Sequence, residues 1–462
     1  MASSDKRALD KRVIDTAAAL TAELEQRIAS GELLPGQRLT PVRDAARQLE
    51  LAPNTVSRAY RSLADRGLVF GQGRLGTFVA DRPNALGRID ESTPEGLTDL
   101  ANGNPDPSLL PDLSAALQRV ADRHGATSQV AYGEPAIDDT LAAVLIADLQ
   151  PDLHFVDDGF LTQGETLAVV GGALDGIERT LMAHLRPGDR VGVEDPAYSS
   201  VLNLISALNL RPVSFEIDEQ GPVPDALERA LASGVEAVVI TPRAQNPTGA
   251  AMSVDRSVAV AEILGCHPSI LVIEDDHASW VAGVPYHSAI PRHFPHQTAH
   301  WVVVRSVAKS LGPDLRLAAI AGDSTTISRV AGRQMLGTGW VSYILQRTVA
   351  ELLTMPETAS TLAEASDAYA VRRDSFIGRL RELEVDCHGS SGLNVWVPVE
   401  DEASVVVGMQ RRGFAIRSGA RYRQQSGPAV RVSTAASDVA TLQRAADALA
   451  EVLRGGTPTR SA

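Results

Sequence analysis

Trp301-Val-Val-Val-Arg-Ser306-Val-Ala-Lys309-Ser-Leu-Gly-Pro-Asp-Leu-Arg316 is an apolar run ending in a serine, with a lone lysine three residues on and an arginine seven beyond that. Trp301 to Val304 predicts an interior strand. A lysine just past such a strand is a candidate Schiff-base nucleophile, because partial desolvation lowers an amine's pKa. Ser306 and Arg316 offer a hydroxyl and a guanidinium fork to one phosphate. A loop lysine is ordinarily just solvated, so the reading depends on the rest of the chain.

From about Asp99 onward, short apolar runs alternate with helix-length segments. The runs are Leu167 to Val170, Val191 to Val193, Val235 to Ile240, Ile270 to Ile273, Val302 to Val304 and Leu317 to Ala321. This alternation predicts a largely parallel sheet covered on both faces, with ligands outside the carboxyl ends of its strands. Unusual residues cluster at those ends. Gly171-Gly172-Ala173 opens a helix, where backbone N–H groups can approach a phosphate, although it is also an ordinary tight turn. Tyr198, after Glu194-Asp195-Pro196, offers an aromatic face to a planar ring or to the core. Asn246-Pro247-Thr248-Gly249 is a turn whose amide can reach a phenolic oxygen. Glu274-Asp275-Asp276-His277 sets three acids after a buried strand, one of which can keep a ring nitrogen protonated. A phosphate cradle, a ring stack, a phenolate partner, a pyridinium partner and an amine nucleophile, in that order, match the needs of pyridoxal phosphate.

On these residues the segment 99–457 resembles the fold-type I pyridoxal phosphate enzymes of the aminotransferase class I/II group. The resemblance implies an α/β fold: a mostly parallel sheet with helices on both faces, and a smaller C-terminal α+β subdomain over about 346–457. It implies that Lys309 carries pyridoxal 5′-phosphate as an aldimine, that Asp275 pairs with the pyridine nitrogen and that Asn246 bonds the ring hydroxyl. By the same resemblance Tyr198 is the stacking aromatic, and Gly172, Ala173, Ser306 and Arg316 form the phosphate site. Arg431, in Val430-Arg-Val-Ser433, is the arginine for a substrate carboxylate, and Gly103-Asn-Pro-Asp is a substrate-side loop. Tyr132-Gly-Glu-Pro resembles the segment that reaches the neighbouring subunit's phosphate, which implies a dimer with composite sites. The chain departs from the group at His277, where a tyrosine is usual. A histidine can still donate to the ring hydroxyl, but with a charge expected to vary near neutral pH. Ala136-Ile-Asp-Asp and Ala142-Ala also replace the usual Gly and Arg, so the cofactor site looks better kept than efficient transamination.

The first eighty residues read differently. Val13, Ala17, Leu20, Leu24 and Ile28 predict an amphipathic helix closed by Ser30-Gly31. Thr40-Pro41 predicts the cap and first position of a second helix through about Leu49. Pro53 opens a third, with Val56, Tyr60 and Leu63 inward and Gly67 as its stop. Leu68 to Phe70 and Thr77 to Val79 then form a hairpin. Three helices and a hairpin make a winged helix-turn-helix. The outer face of the third helix carries Asn54, Thr55, Ser57, Arg58 and Arg61, short polar groups for base edges with basic groups for phosphates, or else a merely solvated face. Arg43 is placed to grip the backbone and Arg74, at the wing tip, to enter a minor groove. The runs Leu39-Thr-Pro-Val-Arg43, Ala52-Pro-Asn-Thr-Val-Ser-Arg-Ala-Tyr60 and Gly73-Arg-Leu-Gly-Thr-Phe-Val closely resemble the GntR-type DNA-binding domain, over residues 1–81. Many members have an arginine where this chain has Pro53, which moves base readout toward Asn54 and Thr55. Residues 82–98 mix Pro, Gly and charge without periodicity and read as a linker, with a short contact through Leu86 and Ile89.

Charge divides the same way. The net charge is −14, but residues 1–82 hold 13 Lys and Arg against 10 Asp and Glu, a net of +3, leaving −17 for the remainder. Opposite signs suggest two modules with different partners. Two cysteines, Cys266 and Cys387, suggest no disulfide framework and fit a reducing, cytoplasmic setting. Neither a signal-peptide core nor a membrane-length apolar run is present.

In this order the modules resemble the MocR group of bacterial regulators. The resemblance implies a dimeric, DNA-binding transcription factor, with domain swapping open, that senses pyridoxal phosphate or an amino acid, amine or B6 vitamer reacting with it. The rival is a working aminotransferase of amino acids or amines whose DNA binding is secondary; a third reading is a structural module with a vacant pocket.

Overall fold

The computed structural model describes residues 16–29, 32–34, 36–65, 68–71, 76–79, 93–125, 130–153, 157, 159–291 and 299–455. They fall into two compact units, one N-terminal through Asp90 and one holding most of the chain from Glu91.

The first unit contains α1 (Ala17–Ala29), α2 (Val42–Leu49), α3 (Pro53–Asp65), β1 (Val69–Gly71) and β2 (Thr77–Val79). Leu20, Leu24 and Ile28 share one face of α1 and join Val56, Ala59, Tyr60 and Leu63 of α3 in a single core. The two strands pair antiparallel, Val69 opposite Val79. Helix α2 begins one residue later than Thr40-Pro41 predicts. Extended backbone at Pro41 (ψ 141°) makes it the cap, with no side-chain bond, and the Thr40 carbonyl accepts from the Tyr60 hydroxyl at 2.8 Å. Val13, Gly67, Arg74, Leu86 and Ile89 lie outside the described residues.

The second unit opens with β3 (Thr98–Asp99), α4 (Leu113–His124) and α5 (Asp139–Leu149). Strands and helices then alternate: β4 (Leu167–Val170), α6 (Ala173–His184), β5 (Arg190–Asp195), α7 (Ser199–Ala207), β6 (Arg211–Asp218), β7 (Gly221–Pro222), α8 (Pro224–Ala232), β8 (Ala237–Ile240), α9 (Val254–Gly265), β9 (Leu271–Asp276), β10 (Trp301–Ser306) and β11 (Ala318–Gly322). These eight strands from β4 to β11 lie in one sheet, ordered β4-β11-β10-β9-β8-β5-β6-β7. Strands β10, β9, β8 and β5 are mutually parallel, while β11 is antiparallel to both its neighbours. The sheet is largely parallel, as the alternation predicts. Strand β6 is an addition: its Val213, Phe215 and Ile217 alternate with polar residues, a period-2 signal rather than an apolar run. Every residue of β9 and β10 is buried, so their apolar beginnings read as interior strands while their charged ends are enclosed as well.

Helices α10 (Ser324–Met335), α11 (Tyr343–Thr354) and α12 (Pro356–Glu382) follow, then β12 (Asn394–Pro398), α13 (Glu402–Gln410), β13 (Phe414–Ala415), β14 (Arg417–Ser418), β15 (Ala429–Ser433) and α14 (Val439–Gly455). Strands β12, β15 and β14 form an antiparallel sheet, backed by a second core of Phe376, Ile377, Leu380, Val395, Val430 and Leu442. Val349, Ala350 and Leu352 of α11, and Leu362 to Tyr369 of α12, pack instead into the core of the large sheet. The small subdomain is therefore built from the second half of α12 onward, later than residue 346. It also takes in Leu100, because β3 pairs in parallel with β13, Thr98 opposite Phe414. Residues 93–97 and Thr98 thus lead straight into the small subdomain.

Candidate functional site

Parallel strands β8, β9 and β10 end at one edge of the sheet, and the segments leaving them carry Asn246, His277 and Lys309. These three line one pocket together with Gly103, Tyr198 and Arg431. Lys309 Nζ donates to the carbonyl of Gly103. Arg431, on the central strand of the small sheet, is 4% exposed and donates to Asn246 Oδ1 at 3.1 Å and to the carbonyl of Ala101. Its guanidinium sits 5.2 Å from the ring centre of Tyr422, and Tyr422 packs with Trp396 and Tyr198.

The three acids ending β9 are all buried and have three different fates. Glu274 is enclosed by donors: the Tyr286 hydroxyl, the Ser288 hydroxyl at 2.9 Å and the amide of Ala289 at 2.5 Å. Asp276 accepts from Arg243 at 2.8 and 2.9 Å and from Arg305 at 2.8 Å. Burial alone would raise Asp276, but the two guanidiniums outweigh it and hold the carboxyl at about 2. Asp275 has no such company. Its Oδ1 is buried without a hydrogen-bond partner, and burial, reinforced by the negative charges of Asp276 and Glu194, pushes its pKa up to about 7. A buried, orphaned acceptor at this place is costly unless a donor arrives from outside the chain.

His277 differs from its expected behaviour. Burial and the nearby Lys309 ammonium push it down to about 4. The imidazole is therefore neutral near pH 7, and its charge does not vary there.

Gly171, Gly172 and Arg316 meet where β4 ends and β11 begins. Gly172 caps α6 with φ 103°, a conformation suited to glycine, and a Cβ there would lie 2.9 Å from Arg316 Nη2. Arg316 Nη2 donates to the carbonyl of Gly171 at 3.2 Å, and Ala173 is the first helical residue. Ser306 stands level with them, paired across to Ala318, which is itself opposite Val170; its Oγ accepts from the amide of Ala308 at 3.2 Å. The orphaned carboxylate and this crowded glycine cradle fit a cationic ring nitrogen and a phosphate.

Tyr132 is not brought to the pocket of its own chain. It is 94% exposed, with its ring edge-on to Trp340 at 5.7 Å. Four other functional candidates escaped sequence reading. Arg243 and Arg305 brace Asp276; Arg305, a charge directly following the apolar run Trp301 to Val304, was itself the available signal. Arg417 and Arg421 line the pocket beside Arg431, and the basic run Arg417-Ser-Gly-Ala-Arg-Tyr-Arg423 was the signal for them. A larger cavity, about 1000 Å³, runs along β6 to Trp396 and includes none of the predicted site residues.

In the first unit Arg43, Asn54, Arg58 and Arg61 are exposed and Thr55 and Ser57 half-buried, all on the side of their helices away from Val56, Ala59 and Leu63. Among the described residues no group could hold a metal ion, and no helix is long and apolar enough to cross a membrane.

The sequence profile of the family "Aminotransferase class I and II" matches residues 95–449, and that of "Bacterial regulatory proteins, gntR family" matches residues 16–79. The chain is 36% identical over 407 residues to the vitamin B6 salvage pathway transcriptional repressor PtsJ of Salmonella typhimurium, covering 86% of this chain and 89% of that one. It is 28% identical over 267 residues to the pyridoxine biosynthesis regulator PdxR of Corynebacterium glutamicum, 56% of each chain. In structure it resembles the multiple substrate aminotransferase of Thermococcus profundus, with a TM-score of 0.70 and 19% identity over 79% of this chain and 93% of that one. The chain belongs to the MocR-type transcriptional regulators, a GntR helix-turn-helix domain joined to an aminotransferase class I and II domain. Pyridoxal 5′-phosphate is the cofactor of that aminotransferase family, and the two domains give the protein DNA and a small molecule as its partners.

Proposed function

We propose that this protein is a homodimeric, cytoplasmic transcriptional regulator that binds an operator through residues 13–80 and senses pyridoxal phosphate or an amino compound at the Lys309 pocket. Residues 82–98 connect the two activities. The observation that carries the reading is Asp275: a buried carboxylate oxygen without a donor, beside a pocket that holds an amine, in a chain with an exposed polar recognition helix.

When bound, the cofactor supplies a carbonyl carbon that reacts with amines and a ring that draws electrons from it. Lys309 Nζ would be the amine that holds it, in the pocket where an effector amine would bind. Asp275 would pair with the ring nitrogen, where a positive charge would favour its ionised form. Asn246 and neutral His277 would hydrogen-bond the ring hydroxyl, and Tyr198 would stack on the ring. Gly172, Ala173, Ser306 and Arg316 take the phosphate through the amides opening α6, a hydroxyl and a guanidinium. Exposed Tyr132 would reach the partner protomer's phosphate. Arg431 and the Gly103 loop receive the effector. On DNA, Asn54, Thr55 and Ser57 read base edges, while Arg43, Arg58, Arg61 and Arg74 hold phosphates or the minor groove.

The test is operator binding at fixed salt, using duplex DNA from upstream of the protein's own gene, with and without pyridoxal phosphate. Cofactor should change the affinity of the natural chain and leave Lys309→Ala unmoved. Affinity indifferent to cofactor in both would overturn the sensing role.

A further inference from the structure

Along β12 the side chains alternate between two environments. Val395 and Val397 join the core of the small subdomain with Val430 and Val432 of β15, so Asn394 and Trp396 take the opposite face, with Arg431 and Ser433 across from them. Asn394 lines the Lys309 pocket from that face, together with Gly103 and Arg431. It is 5% exposed, and its side-chain oxygen Oδ1 is buried without a hydrogen-bond partner. The same oxygen stands 3.9 Å from the point that a Cβ on Gly103 would occupy, and the Gly103 carbonyl accepts from Lys309 Nζ. Asparagine is a poor strand former, and an apolar residue at this buried position would leave no acceptor unmet. Keeping the amide is unfavourable in the free protein, and the cost is relieved when a donor arrives with a ligand.

We propose that Asn394 sets effector specificity, and that the effector is an amine carrying a hydroxyl or carboxamide group that donates to Asn394 Oδ1. This rests on the reading of the Lys309 pocket as the effector site. A second ammonium is disfavoured as the donor, because Lys309 and Arg431 line the same pocket and no aspartate or glutamate is among its lining residues. A neutral hydroxyl or carboxamide meets the oxygen without adding charge, and it can also accept from the amide N–H groups of Asn394. A ligand of the same shape without the donor leaves the buried oxygen as unmet as before, so the site rejects it.

Full-length protein with pyridoxal phosphate is titrated with matched pairs: L-serine against L-2-aminobutyrate, L-homoserine against L-norvaline, and L-asparagine against L-leucine. Binding is followed by the visible absorption of the bound cofactor and by calorimetry. The members of a pair share a shape and differ in the donor, and the pairs place that donor at different reach. In the pair of matching reach the polar member should bind about tenfold more tightly. That preference should fall to about twofold or less in Asn394→Leu, which keeps the branching and removes the amide, and in Asn394→Ala, which adds no bulk. Cofactor-free Asn394→Leu should resist urea at least as well as the natural chain, since no bond within the fold is lost. Equal affinity within every pair overturns the inference while leaving the cofactor reading intact, as does a preference that survives both substitutions, or binding of none of these amines. A loss of stability common to both variants also overturns it, by showing the amide to be bonded within the fold. Absence of any cofactor absorption that Lys309→Ala abolishes overturns both.

Discussion

Asp275 links an unmet hydrogen bond to a measurable pH dependence. Its folded pKa of about 7 lies above its ordinary value of 3.8, so folding favours the protonated form. Below pH 4 the group is protonated in both states and costs nothing. Between pH 4 and 7 the folded chain binds more protons than the unfolded one, and stability falls as pH rises; above 7 the whole penalty is present. Asp275→Asn removes it. In cofactor-free protein at pH 8 the substitution should raise stability by on the order of 3 kcal/mol, seen in chemical denaturation, and the gain should vanish by pH 4. The same substitution should weaken cofactor binding, because a neutral amide cannot answer a ring cation. A variant less stable than the natural chain at pH 8 would show that Asp275 is satisfied within the fold.

The strand ends depend on a network that binds helix α5 to them. Arg305 reaches Asp276 on β9 and, on or just after α5, Asp148 at 2.8 Å and Asp152 at 2.5 Å. It is 2% exposed, so Arg305→Met leaves Asp276 with Arg243 alone and should cost about 3–5 kcal/mol, measured by urea denaturation. In the recognition helix the expected loss is of another kind. Arg58→Ala should leave stability within about 0.5 kcal/mol, weaken DNA binding across sequences and reduce the slope of affinity against salt by about one. The contrast between these arginines explains what was legible in the chain. Asp275 lies at the end of a strand and Gly172, Lys309 and Asn246 come two to six residues after one, so the pattern that predicts a strand also points to a ligand end. Arg305 was hidden because it occupies a position that apolar patterning assigns to the core, and its partners lie far off in sequence. Arg417 meets Asn102 across 315 residues, a convergence that only the folded small subdomain creates. The neutrality of His277 was equally out of reach, since it follows from burial and from Lys309 rather than from its own sequence neighbours. The winged helix was readable almost throughout because its contacts are local and its helices amphipathic.

At the scale of the molecule, two sites on one chain that influence each other must do so reciprocally. Whatever factor the effector imposes on operator affinity, saturating operator DNA must impose on effector affinity, and parallel titrations with and without the duplex should return equal ratios. How the influence leaves the pocket is suggested by β3. Its amides bond to the strand at the edge of the small subdomain, Thr98 to Gly413 and Leu100 to Ala415. The next carbonyl, that of Ala101, accepts from Arg431 and Arg417. Two extra glycines placed among residues 84–90 should therefore preserve effector affinity while abolishing the effector's influence on DNA. The carbonyl that Arg431 and Arg417 hold thus lies one residue beyond the backbone bonds that fasten residues 98–100 to the small subdomain, so a shift of either arginine bears directly on that fastening.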